Sequence, residues 1–155
     1  MDMSDAVPTQ GEKSPFPPLG RRYLGSVVDG LVVLAGTLLI GTVLGDVSPS
    51  LVPLRVALFV LLWVGYEPGC TAFGVTLGQR LLGYRVRREA DPKHRIGLPA
   101  AAVRFVVKLA LGLLSFITMG FNTRRRALHD LASGSVVLSA EAATTAAESL
   151  APSAV

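Results

Sequence analysis

The chain has 155 residues, of which 50% are hydrophobic and only 17% are charged. A soluble domain of average composition carries about 25% charged residues, so this chain has too few to cover a water-facing surface, and its single cysteine, Cys70, excludes an internal disulfide framework. The formal net charge of +4 is compatible with nucleic acid, an anionic membrane surface or membrane topology signals, between which the positions of the charges must decide.

The N-terminal stretch, residues 1–19, is rich in proline and polar side chains and shows no apolar periodicity. We interpret it as a disordered tail. It lacks the basic, apolar and small-residue regions of a secretory signal, so the apolar segment that follows is expected to remain in the mature protein.

Two apolar segments come next. Residues 23–45 contain Asp29 as their only charged side chain, and a helix of about 20 apolar residues is long enough to cross a hydrocarbon core of about 30 Å. Residues 51–66 are interrupted only by Arg55, whose side chain can reach the interface by snorkelling. The sequence therefore predicts two transmembrane helices.

Small residues recur along the first of these segments, where they would let another helix approach closely. They are Ser26, Gly30, Thr37, Gly41 and Gly45. We favour packing within the fold as their role, with a dimer face as the alternative.

The stretch 67–99 is basic and water-facing, with six basic residues against three acidic ones. Within it, residues 81–86 followed by Asp91 and Pro92 are typical of a short strand and a turn, which predicts a loop or a small β-hairpin. Arginines on this stretch are candidates for contact with anionic lipid head groups or a partner protein. They are Arg80, Arg85, Arg87 and Arg88. Few aromatic side chains accompany them, so we expect no nucleic-acid partner.

A third apolar segment, residues 100–121, carries Arg104 and Lys108 in its first half. Its uncharged part is too short to span alone as a helix. It is either a full span with snorkelling cations or a re-entrant segment. After it, residues 136–138 predict a short strand, and residues 140–155 form an Ala-, Ser- and Thr-rich tail that we interpret as disordered.

The charges predict the topology. The loop around Asp46 contains no lysine or arginine, whereas arginines precede the first span and fill the stretch 67–99, so the positive-inside rule places the N-terminus and this stretch in the cytoplasm. Three full spans would place Arg124, Arg125 and Arg126 outside, against the same rule. We therefore favour a re-entrant third segment and a cytoplasmic C-terminus.

Asp29 is a carboxylate inside a span, which costs on the order of 2.5 to 3.5 kcal/mol on insertion scales and so requires a partner, water or protonation. Arg22 lies seven residues earlier on the same helix face, but the rise of roughly 10 Å between them prevents direct pairing. Asp130, Arg104 and Lys108 are the available opposite charges. An ion or proton relay at Asp29 and a buried network that fixes helix register both explain the pattern.

Three groups of residues resemble the RDD family of bacterial membrane proteins. They are Arg22 with Asp29; the run Thr76, Leu77, Gly78, Gln79, Arg80, Leu81, Leu82, Gly83, Tyr84, Arg85, Val86; and Arg125, Arg126, Ala127, Leu128, His129, Asp130 with Gly134. The resemblance maps the arginine and two aspartates that name the family onto Arg22, Asp29 and Asp130. It covers residues 20–138. Gln79 departs from the pattern, because the family commonly has lysine there.

The resemblance implies little biochemistry beyond a suggestion of cation/proton antiport. We expect an all-α, multi-pass protein of the bacterial inner membrane, with two to three transmembrane helices in a transmembrane domain at residues 20–139. We also expect it to form a homo-oligomer or to bind a membrane-protein partner. The first functional hypothesis is a transport role for an oligomer, either cation or proton translocation or service as a transporter subunit, through a buried network of Arg22, Asp29 and Asp130. The alternative is a non-catalytic scaffold or assembly factor that binds lipid or a partner through the basic stretch.

Other chemistry has little support in the sequence. His129 beside Asp130 is a possible pH-sensitive pair, because histidine titrates near neutrality, although a surface or capping role is more common for such a residue. Two histidines and one cysteine without clustered carboxylates predict no metal site. With no nucleophile elbow, nucleotide-binding loop or dinucleotide motif, we expect neither enzymatic activity nor a cofactor.

Overall fold

Two long apolar helices dominate the structure, a computed structural model that describes residues 14–45, 48–112, 114–115 and 124–148. Asp46, the end of the third apolar segment and the outer parts of both predicted tails lie outside these residues. Helix α1 runs over Leu19–Val43, and a second continuous helix covers Pro49–Phe73. Each has 25 residues, and their mean hydropathies are 2.0 and 1.6. Both are long and apolar enough to cross a membrane.

The second helix changes its winding along its length. A 3₁₀ turn at Pro49–Leu51 leads into α2, Val52–Val60; a π-helical segment, Leu61–Gly65, follows, and α3, Tyr66–Phe73, completes the helix. The large side chains of both helices remain uncovered: Leu38 on α1 and Leu61 on the π-helical segment are 61% and 66% exposed. Such exposure suits helices whose surroundings are lipid.

Polar contacts close the hairpin between these helices. The Arg55 guanidinium donates to the carbonyls of Leu44 and Gly45, at 3.3 and 3.1 Å, and so satisfies acceptors left free where α1 ends. The sequence predicted that this arginine would snorkel to the interface. In the structure its guanidinium caps the end of α1. Near the middle of the hairpin, Trp63 Nε1 donates to Thr37 Oγ1 at 3.0 Å.

The small-residue pattern on α1 does not mark the main close approaches of this helix. A Cβ added at Gly30 or Gly41 would meet nothing within 4 Å, whereas one at Gly36 would meet the Leu62 side chain and one at Gly25 would meet the Tyr84 ring. Of the predicted set, Ser26 and Thr37 are partly covered. Small residues permit a close approach, but the position of the neighbouring element decides where it occurs.

At the end of the hairpin where α1 begins lies a small folded unit, which we call the cap. It consists of α4, Leu77–Leu81; β1, Tyr84–Arg88; α6, Leu128–Ala132; β2, Ser135–Ser139; and α7, Ala140–Glu148. Helix α5, Leu98–Leu111, packs between the cap and α3.

The two strands of the cap form an antiparallel sheet in which Tyr84 pairs with Ser139 and Arg88 with Ser135. The sequence predicted a loop or a small β-hairpin within residues 67–99. Of these alternatives the hairpin is wrong: a strand does occur there, but its partner lies about 50 residues later in the chain. Alternation and turn residues identify a strand without identifying its partner. One sheet face packs into a core with Ile96 and Ala101.

Parts of both predicted disordered tails are ordered. The Ser139 amide donates to the Pro15 carbonyl at 2.8 Å, and Phe16 packs with Val136, Leu138 and Ala143. Disorder was thus the wrong prediction for residues 14–18 and 140–148. These segments cover the second face of the sheet, so apolar partners from distant parts of the chain order them despite their polar composition.

Helix α5 has 14 residues and ends at Leu111; its C-cap is Gly112, whose φ is 52°. At 1.5 Å per residue this helix is roughly 21 Å long, less than the thickness of a hydrocarbon core. The chain is back at the cap by Arg125, because Arg22 on the first turn of α1 donates to the Arg125 carbonyl at 2.8 Å. Both α5 and the described stretch that begins at Arg124 thus contact the same end of the hairpin.

Candidate functional site

A buried cluster of charges joins α1, α5 and α6. Asp130 is 0% exposed, and its carboxylate pairs with Arg22, at 2.5 Å, and with Arg104. The same carboxylate accepts the Ala127 amide at 2.9 Å, which caps the start of α6. Two guanidiniums and one carboxylate leave one excess positive charge in this cluster.

His129 is completely buried beside this cluster. Its Nε2 lies 3.4 Å from an Arg22 nitrogen and 3.6 Å from an Asp130 oxygen. Burial, followed by the charges of Arg104, Arg22 and Lys108, lowers the pKa of His129 well below its usual range. The imidazole is therefore neutral at physiological pH, and the geometry argues against the pH-sensitive role that its sequence position suggested.

Asp29 forms a separate site, which we call the clasp. Its carboxylate accepts hydrogen bonds from the Tyr66 hydroxyl at 3.0 Å, the Thr76 hydroxyl at 2.7 Å and the Gly78 amide at 2.8 Å. These donors come from the second helix and from the start of α4, so one carboxylate ties both to α1.

The start of α4 is built for this contact. Thr76 is the N-cap of the helix, and its hydroxyl accepts the Gln79 amide at 3.2 Å while it donates to Asp29. Gly78 lies against α1: a Cβ there would collide with the Gly25 carbonyl oxygen and Asp29 Oδ2. The threonine and glycine of the motif thus have direct roles in holding Asp29.

Gln79 is buried and donates to Thr71 at 3.1 Å, whereas its neighbour Arg80 is exposed. Gln79, the residue that departs from the family pattern, therefore lies inside the fold. Arg80 and Arg88 are exposed, while Arg85 and Arg87 are half-buried, so the predicted contact residues differ in their access to lipid.

The predicted network of Arg22, Asp29 and Asp130 is divided in two. Arg22 and Asp130 meet directly, but no ion pair of Asp29 occurs among the described residues. Arg104 joins the first group, as one of the candidate partners. Lys108 instead pairs with Glu67 at 2.8 Å, linking α5 to α3. The clasp donors Tyr66, Thr76 and Gly78 were not predicted.

Across residues 14–45, 48–112, 114–115 and 124–148, no three histidine, cysteine, aspartate or glutamate side chains are grouped so that they could hold a metal ion. The buried carboxylates are instead occupied by protein donors. The contacts of Asp29 and Asp130 therefore fix separate helices of the fold to one another.

Comparison with known proteins gives one match. The model of the RDD family matches residues 16–134, which include both the charge cluster and the clasp. No curated protein and no solved structure matches the chain.

Proposed function

The chain belongs to the RDD family of membrane proteins, and on this basis we propose that it is a non-catalytic scaffold that fixes a basic cap to a short transmembrane hairpin. The observation that carries this proposal is the clasp: all three donors to Asp29 are neutral groups of the fold, and they come from the two elements that must be joined. A carboxylate held in this way acts as a structural tie.

In this proposal the third apolar segment is re-entrant, and the cap is cytoplasmic in a bacterial inner membrane. The short α5 and the return of Arg125 to the start of α1 support the re-entrant path. The exposed Arg80 and Arg88 support the orientation, because arginines are enriched on the cytoplasmic side, where they meet anionic head groups. The expected partners are lipid and a second membrane protein or copy of this chain.

Cysteine labelling tests this path. Single cysteines at the exposed positions Ser48, Ala90 and Ala147, in a Cys70→Ser background, would be treated with an impermeant thiol reagent in intact cells. We expect labelling of Ser48→Cys alone, with the other two reacting only after permeabilisation. Labelling of Ala147→Cys in intact cells would contradict the re-entrant segment.

A second candidate function is cation or proton translocation by an oligomer. It is favoured by one observation: Asp29 lies in an apolar span without a cation at ion-pair distance among the described residues. Carboxylates in such positions often mark ion or proton pathways.

Asp29→Asn and Tyr66→Phe together separate the two functions. Asparagine removes the charge, and each substitution weakens the clasp, so scaffolding predicts that both lower the free energy of unfolding by about 1–2 kcal/mol in detergent and reduce assembly. Translocation predicts that wild-type proteoliposomes dissipate a pH gradient when cation is added. It further predicts that Asp29→Asn abolishes this flux at normal protein levels, while Tyr66→Phe, which keeps the charge, retains it.

The unfolding and flux measurements decide between the two functions, because each function predicts a different pair of results. Cation-driven flux in the wild type that vanishes in Asp29→Asn would overturn the scaffold proposal. Absence of wild-type flux, with both variants destabilised alike, would exclude translocation.

A further inference from the structure

Helix α4 packs one side against the rest of the fold and leaves the other side uncovered. Gly78 and Gln79 are its buried residues. Leu77 and Leu81 are 45% and 64% exposed, and Arg80 is also exposed. Residues three and four apart share a face of a helix, so two leucines and one arginine form the outer face of α4.

The contacts between α4 and α1 fix the depth of α4 along the first span. A hydrocarbon core of about 30 Å takes about 20 helical residues, which reach about Leu24 when they are counted back from Val43, the last residue of α1. Arg55 caps the carbonyls just beyond Val43 and so marks the opposite boundary. Helix α4 meets α1 at Gly25 and Asp29. It therefore lies at the depth where the acyl chains begin.

The amides in the first turn of α4 all have acceptors within the protein. A helix leaves its first amides without partners of its own, and in lipid each of them must be satisfied by another protein group. The Leu77 amide donates to the Tyr66 hydroxyl at 3.1 Å, the Gly78 amide to Asp29 at 2.8 Å and the Gln79 amide to Thr76 Oγ1 at 3.2 Å. These amides therefore do not need water as an acceptor.

We propose that α4 is an interfacial membrane helix whose leucines, Leu77 and Leu81, insert among the acyl chains at the head-group boundary, while Arg80 reaches the lipid phosphates. Such a division between apolar and basic side chains is typical of helices that lie in the interface. The bilayer is the occupant of this face because the face continues the uncovered surface of the hairpin. Phe73, which ends the second long helix shortly before α4, is 75% exposed.

The insertion of α4 identifies the lipid contact of the cap. It rests on the proposed function for the choice of the cytoplasmic leaflet alone, since the depth of α4 follows from its contacts with α1.

Fluorescence quenching in nanodiscs tests this depth. The full chain, in a Cys70→Ser background, would carry an environment-sensitive fluorophore on one introduced cysteine. We expect Leu81→Cys to be quenched several-fold more by nitroxide-labelled phospholipid than by iodide in the water. A nitroxide near the head group should quench it more than one deep in the acyl chains.

Two exposed positions provide the controls for quenching. Leu34→Cys lies near the middle of the first span and should be quenched more by the deep nitroxide. Ala90→Cys follows β1 in the cap and should respond mainly to iodide.

Two substitutions at one position provide an independent measurement. Leu81→Asp places a short charged side chain among acyl chains, whereas the longer side chain of Leu81→Lys can snorkel to the head groups. We expect a lower thermal midpoint in nanodiscs for Leu81→Asp and little change for Leu81→Lys. Ala90→Asp is the matched control and should leave the midpoint unchanged.

Three results would overturn the proposal. Quenching of Leu81→Cys by iodide as strong as that of Ala90→Cys would place α4 in water. Protection from both quenchers would mean that a partner protein or a second copy of the chain covers the face. Equal midpoints of Leu81→Asp and Leu81→Lys would contradict apolar surroundings.

Leu77→Cys, on the same face of α4, provides the same quenching comparison if Leu81→Cys fails to fold. Quenching in nanodiscs does not depend on the side of the membrane on which the cap lies, or on cation flux. Failure of the interfacial helix is therefore distinct from failure of the scaffold proposal.

Discussion

Replacing Asp130 with asparagine should lower the free energy of unfolding by about 3–5 kcal/mol, because it leaves the buried guanidiniums of Arg22 and Arg104 without a counter-charge. The change also weakens the bond that caps α6 at Ala127. Denaturant unfolding of the purified protein in mild detergent would measure this loss. It is the largest effect that we expect from any isosteric substitution in the cap.

Asp91→Asn is the control for this experiment. Asp91 also pairs with a basic side chain, His94, but both side chains are largely exposed, and exposed pairs contribute only about 0–1 kcal/mol. The double variant Arg104→Leu/Asp130→Asn should lose less stability than the sum of its single changes, because one unmatched cation is removed with the acid. An Asp130→Asn protein as stable as Asp91→Asn would contradict the account of the charge cluster.

Replacing Gly78 with alanine should separate α4 from α1. The new methyl group would overlap the Gly25 carbonyl oxygen and Asp29 Oδ2, and a backbone oxygen within a helix cannot easily move aside. Overpacking of this kind costs about 1–3 kcal/mol, and any shift of α4 also lengthens the bonds to Asp29. We expect a lower thermal midpoint and faster proteolysis of the cap.

Gly30→Ala, on α1, provides the comparison. Its added Cβ would meet nothing within 4 Å, and alanine favours the helical conformation by about 1 kcal/mol over glycine. This variant should therefore be as stable as the wild type or more so. Equal behaviour of the two alanine variants would mean that α4 does not lie against α1 as described.

Much of the membrane architecture could be predicted from local patterns. The length and apolarity of residues 23–45 indicated the first span, and the acid inside it identified Asp29 as a residue that needs a partner. The strand at residues 84–88 overlapped the predicted strand because β-type alternation is visible over a few residues.

The partners were harder to predict, because tertiary contacts decide them. The sequence grouped Asp29 with Arg22, yet the fold gives Asp29 three neutral donors and gives Arg22 the distant Asp130. A hydroxyl and a backbone amide leave no charge signal in a sequence, so Thr76 and Gly78 could be found only through their motif. Tertiary contacts also explain why the sequence did not predict α7 as an ordered helix, because its apolar contacts come from the distant Phe16 and from Val136.

The pairing of Arg22 with Asp130 also orders events during synthesis. The two residues are 108 positions apart, and at about 5–20 residues per second a ribosome needs roughly 5–20 s to add the stretch between them. For most of that interval α1, which is complete at Val43, is available to enter the bilayer, while its Arg22 has no acid from α6 to meet. The hairpin and the clasp, whose residues are all made by Gly78, can therefore form before the charge cluster does, and the last strand to be made completes the only sheet among the described residues.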